Sequence, residues 1–114
     1  MSVSGSCHCG AIQFTLEEAP SQAIECNCSI CRRRGSILAA VAPEQFRLTT
    51  TREAISAYTF NRHAIRHAFC RTCGCAPFSE GVDLDGQPLV AVNLRCTDVP
   101  LEALEVVPFD GASL

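Results

Sequence analysis

Lysine and tryptophan are both absent from this chain of 114 residues, which has one tyrosine and one methionine. All nine basic residues are arginines, set against twelve acidic ones for a formal net charge of −3. An acidic balance with scattered arginines lacks the basic footprint of a nucleic-acid binder. Long apolar runs are missing too. The longest, Ile37 to Pro43, falls far short of the about 20 residues a bilayer-spanning helix needs, so no membrane helix is expected. The opening MSVSGSCHCG has neither a basic n-region nor an apolar h-region, which argues against a secretory signal and for the cytoplasm. Charged residues are 18% and apolar ones 47%, too apolar a mixture for a disordered chain. The length suits one domain spanning residues 1–114. So short a domain buries only roughly two-thirds of the surface its unfolded chain exposes, and its core needs a supplement.

The supplement is cysteine. Nine are present, as Cys7-x-Cys9, Cys26-x-Cys28-x-x-Cys31, Cys70-x-x-Cys73-x-Cys75 and a solitary Cys96. The count is odd, and cysteines two or three residues apart seldom satisfy disulfide geometry. The same close pairs let one turn aim two thiolates at a metal about 2.3 Å away, so the spacing favours zinc or another thiophilic metal over disulfides. Phe69-Cys-Arg-Thr-Cys-Gly-Cys75 reads as a zinc knuckle, with Gly74 free to take positive φ after the second ligand. A knuckle needs a second pair of ligands, and Cys7-His-Cys9-Gly10 offers one. Cys26, Cys28 and Cys31 supply three ligands and not four. Structural zinc sites are closed by four protein ligands, whereas catalytic sites keep one position open. A fourth ligand from Cys75, Cys96, His8, His63 or His67 would close this one.

Along the chain, Ile12, Phe14 and Leu16 alternate with polar residues within a strand over 10–17. Further strands are expected at 23–26, 36–42, 46–50, 55–60, 64–69, 76–80, 89–94 and 105–109. Ser29 to Gly35 suits one helical turn ending at glycine, and Pro43 to Phe46 a short turn. Many short strands with turn signals every eight to twelve residues predict a small, mostly β, zinc-anchored domain. Tyr58 and the phenylalanines are assigned to the core.

These blocks carry a resemblance. Gly5-Ser-Cys-His-Cys-Gly-Ala11 before a strand, Cys26-Asn-Cys-Ser-Ile-Cys-Arg-Arg-Arg-Gly35, Phe69-Cys-Arg-Thr-Cys-Gly74 with Pro77-Phe78, and Val92-Asn-Leu-Arg-Cys96 occur in that order. Together they resemble the glutathione-dependent formaldehyde-activating enzyme family, which includes centromere protein V, over residues 4 to 109. The resemblance implies a tent-shaped, Mss-four-like fold of short antiparallel strands with two zincs. Cys7, Cys9, Cys70 and Cys73 would hold a structural ion, and Cys26, Cys28 and Cys31 a catalytic one. The implied activity is addition of glutathione to formaldehyde, giving S-hydroxymethylglutathione; in reverse it is a carbon–sulfur lyase. The implied partners are a small thiol such as glutathione and an aldehyde, with no nucleic acid and no membrane; the oligomeric state is unspecified. Characterised family members are longer, so segments shaping a glutathione pocket are expected to be missing. Cys75 replaces a residue that is often small or β-branched in the family.

An open three-thiolate zinc suits this chemistry, because it favours the thiolate form of an incoming thiol or polarises an aldehyde oxygen. Arg32, Arg33 and Arg34, beside Cys31, are candidate anchors for the carboxylates of glutathione. The rival reading is a two-zinc scaffold without catalysis, structural or partner-binding. His8 is expected to point away from the metal its neighbours share. His63 and His67 are expected to be ordinary strand histidines, with a proton-shuttle role as the alternative. Cys75 and Cys96 are expected to be packed spectators, with proximity to the open zinc as the alternative for Cys96.

Overall fold

Short alternating segments become ten strands and one short helix among the described residues, 2–113, of this computed structural model. In chain order they are β1 (Val3–Ser6), β2 (Gln13–Leu16), β3 (Gln22–Cys26), α1 (Ser29–Arg34), β4 (Leu38–Val41), β5 (Phe46–Leu48), β6 (Ile55–Tyr58), β7 (Arg66–Cys70), β8 (Phe78–Val82), β9 (Pro88–Asn93) and β10 (Glu105–Phe109). The fold is mostly β, as the sequence indicates. One sheet runs β1-β2-β5 and the other β10-β3-β4-β9-β8-β7-β6. Pairing is antiparallel throughout except between β10 and β3, which run parallel with Phe109 opposite Cys26.

The first strand has no sequence signature. Val3-Ser-Gly-Ser6 is a strand because it pairs with β2, Val3 opposite Leu16 and Gly5 opposite Phe14. Glycine is required there, since a Cβ on Gly5 would overlap the Phe14 ring. Phe14 stacks on Phe46 at 5.2 Å between centroids, and Phe46 meets Phe78 at 4.8 Å. This aromatic cluster joins the small sheet to one face of the large one, where Ala23, Ala39, Ala68, Val90 and Val92 are buried with Ile12 and Leu16.

Strand alternation then assigns the intervening residues to the opposite face. There Leu38 pairs with Asn93, Ala91 with Ser79, and Ser79 with His67. That face is the floor of a cleft. Tyr58 does not join the core as assigned: it ends the edge strand β6, is 51% exposed, and stacks on Phe60 at 5.7 Å.

Candidate functional site

Two matching turns bring four cysteines together. Cys7 and Cys9 follow β1, and Cys70 and Cys73 bracket the turn after β7. Their four sulfurs lie within 4.8 Å of one another, with Cys7–Cys9 at 3.7 Å and Cys9–Cys70 at 3.6 Å. Gly10 and Gly74, each directly after a cysteine, adopt φ of 83° and 82° and let the chain turn tightly around the sulfurs. Backbone N–H groups point inward: Ile12 donates to Cys7 Sγ at 3.3 Å, and Thr72 and Cys73 to Cys70 Sγ at 3.4 and 3.5 Å. Such donors stabilise thiolate over thiol. The N–H groups of Cys75 and Cys9 hold the Cys73 thiol down at about 5, and that of Cys73 lowers Cys70. The donor set fits a thiophilic dication. A tetrahedral site with metal–sulfur bonds of about 2.3 Å has sulfur–sulfur edges of about 3.8 Å, close to the separations here.

A second group forms where β3 enters α1. Cys26 ends the strand, Cys28 caps the helix and Cys31 lies in its first turn, with the three sulfurs within 4.8 Å of one another. Among the described residues no fourth cysteine, histidine or carboxylate joins them. Burial works against ionising Cys28, but the N–H of Cys31 and the Cys31 and Cys26 thiols outweigh it, and its pKa is lowered. Burial and the Cys28 thiol raise that of Cys31. Cys28 therefore ionises at the expense of Cys31. The helix stops where the sequence indicates. Gly35 takes φ 69° and donates to the Cys31 carbonyl at 2.8 Å, while Arg95 Nε donates to the Gly35 carbonyl at 3.0 Å. The Val92–Cys96 block thus acts as a brace for the helix that presents Cys31.

A wall of this site was not legible in the sequence. After β10 the chain turns back through Asp110 to Ser113 and is laced to Asn27, the residue between Cys26 and Cys28. Asn27 Nδ2 donates to Asp110 Oδ1 at 3.0 Å, and Ala112 N donates to Asn27 Oδ1 at 2.9 Å. This seats Gly111 so close to the triad that a Cβ there would overlap Cys26 Sγ.

Two clefts open on the triad and share Cys26 and Cys31. One, of about 490 Å³, has apolar walls that include Ile24, Ile30, Leu38, Phe60 and Ile65, with Arg34, His67, Ser79 and Asn93 among its polar groups. The other, of about 470 Å³, carries Glu25, Asn27, Arg32 and Asp110. His67 is 8% exposed, its Nδ1 lies 3.2 Å from Ser79 Oγ, and its ring stacks on Phe60 at 5.3 Å. Burial, and then the charge of Arg34, lower its pKa, so the imidazole is neutral at pH 7.

Residues 2–107 match the family described as glutathione-dependent formaldehyde-activating enzyme. The chain belongs to that family. Membership supports a formaldehyde-activating or related glutathione-linked function for it. A crystal structure of a Rhodobacter sphaeroides protein is similar to it, with 31% identity and a TM-score of 0.78, over 96% of this chain and 100% of that one.

The other family positions divide by location. Of the three arginines after Cys31, Arg34 lines the cleft that holds His67 and Arg32 the one that holds Asp110. Arg33 folds back to donate to the Ser29 carbonyl at 2.8 Å. His8 is exposed, and His63 bonds Thr59 Oγ1 at 2.7 Å from a left-handed backbone position. Cys75 packs against the core. Cys96 lies on the side of the four-sulfur group: burial, followed by the charges of Cys75, Cys7 and Cys73, pushes its thiol up to about 11. Among the described residues no helix is long and apolar enough to cross a membrane.

Proposed function

We propose that this family member is a zinc-dependent enzyme that adds a thiol of the glutathione type to an aldehyde, and in reverse acts as a carbon–sulfur lyase. The observation that carries the reading is the three-sulfur group of Cys26, Cys28 and Cys31, which lacks a fourth protein ligand among the described residues and opens on two clefts. Cys7, Cys9, Cys70 and Cys73 hold a structural zinc in this reading, and the triad holds a second. Zinc bound by the triad would supply an open coordination position that favours the thiolate form of the substrate.

The residues of the chain supply the rest. Arg32 and Arg34, on either side of the triad, pair with substrate carboxylates. Neutral His67, which lines the cleft with Nδ1 engaged by Ser79, takes the proton from the thiol S–H in this reading. The thiolate attacks the carbonyl carbon, the C–S bond forms, and the C=O π pair moves to oxygen. That oxygen then receives the proton from His67, giving a hemithioacetal. Seven zinc-binding thiolates suit work in the reducing cytoplasm.

Cys28→Ser tests the reading. The variant should keep its fold by circular dichroism, lose one zinc and lose turnover of thiol plus aldehyde, followed by NMR exchange. Full turnover with one zinc missing would refute an enzymatic triad.

A further inference from the structure

We infer that the aldehyde handled by this site carries an apolar body, an alkyl or aryl group larger than the single carbon of formaldehyde. The inference rests on the proposed thiol–aldehyde chemistry and names its substrate class. The two clefts that meet at Cys26 and Cys31 share Phe109 and differ in their charges. The one beside Arg32 presents Glu25 and Asp110 together with Arg32 and Asn27, groups of both signs. That mixture complements a zwitterionic thiol such as glutathione, which carries one ammonium and two carboxylates. The other cleft lacks that mixture, and its one formal charge can meet a single carboxylate. Its walls include Ile24, Ile30, Leu38, Phe60, Ile65 and Phe109, with Arg34 its sole formal cation among the described residues.

The size of this second cleft is also out of proportion to formaldehyde. A molecule scarcely larger than water, whose share of liquid volume is about 30 Å³, leaves most of about 490 Å³ empty. Cavities of that volume are typical of ligands with many heavy atoms. The space is built into the sheet. Ala91 and Ser79 are paired neighbours on its floor, where larger side chains would fill it. Ile65 and Phe109 stand at the walls 43% and 41% exposed, apolar surface left open to water in the free protein. An alkyl or aryl group covering them gains the transfer free energy of apolar burial. Phe109, Gly111 and Ala112 complete this wall from the end of β10 and the turn after it. The reaction is unchanged by the larger group: the C–S bond forms at the carbonyl carbon, the π bond opens, and the thiol proton ends on oxygen.

The test uses the zinc-loaded full chain and two ligand series in calorimetric titration. One is S-methyl-, S-butyl- and S-hexylglutathione, thioethers that resemble the adduct; the other is ethanethiol, butanethiol and hexanethiol. Affinity should rise about fourfold per added methylene, and Ala91→Leu, which fills the floor, should flatten the rise while zinc content stays constant. Glutathione conjugates that bind with no dependence on chain length would overturn the apolar substrate class and leave the glutathione reading standing. Alkyl thiols that bind with the expected dependence while no conjugate binds would uphold the apolar cleft and remove glutathione as the thiol. A series in which neither set binds overturns both.

Discussion

His67 and Cys28 line the same cleft, yet only one of them announces itself along the chain. Cys28 belongs to a ligand pattern whose spacing is local, so its grouping with Cys26 and Cys31 needs nothing but one turn. His67 gains its character from residues far away: Ser79 from the next strand fixes Nδ1, Phe60 covers the ring, and burial with Arg34 keeps it neutral. No sequence window contains those partners. Replacing His67 with glutamine should cost about 10²-fold or more in turnover, the usual range for a general acid–base group, with both zincs retained by elemental analysis. Undiminished turnover in that variant would remove His67 from the reaction. The same burial has a signature in stability. A folded pKa lowered from 6.5 means that the unfolded chain binds the proton more readily, so stability is fully present above about pH 6.5 and declines as pH falls below it. His67→Gln should lessen that acid-side decline in thermal melts.

Elements divide along similar lines. β2, β9 and α1 were legible because their alternation, or the glycine at the helix end, is written in adjacent residues. β1 was not, since Val3-Ser-Gly-Ser6 has no alternation and becomes a strand only against β2. β10 was visible as a strand, but its parallel pairing with β3, and the Asn27–Asp110 bond just beyond it, join residues 83 apart in sequence. That lacing gives the C-terminal turn a role at the site. Gly111→Ala places a methyl group against Cys26 Sγ. It should displace the triad and reduce bound zinc from two to one per chain, while the melting temperature, governed by the four-sulfur group and the core, changes little. A variant that retains both zincs would show that the turn yields easily and does not set the position of Cys26.

The four-sulfur group ties the end of β1 to the end of β7 across two sheets, and in the proposed reading it holds a structural zinc. Structural zinc contributes about 10–16 kcal/mol of apparent binding free energy in small domains, comparable with the entire stability of a typical one. Cys73→Ser should therefore unfold the chain, seen as loss of strand signal in circular dichroism, whereas Cys28→Ser should not. The central claim is that one metal site is closed and the other open to a thiol. The most direct measurement is the kinetics of zinc removal by a coloured chelator, with and without reduced glutathione. Two zincs per chain should leave in separate phases, the faster one altered by glutathione and absent in Cys28→Ser. A single slow phase, indifferent to glutathione, would contradict the open site and leave a closed scaffold.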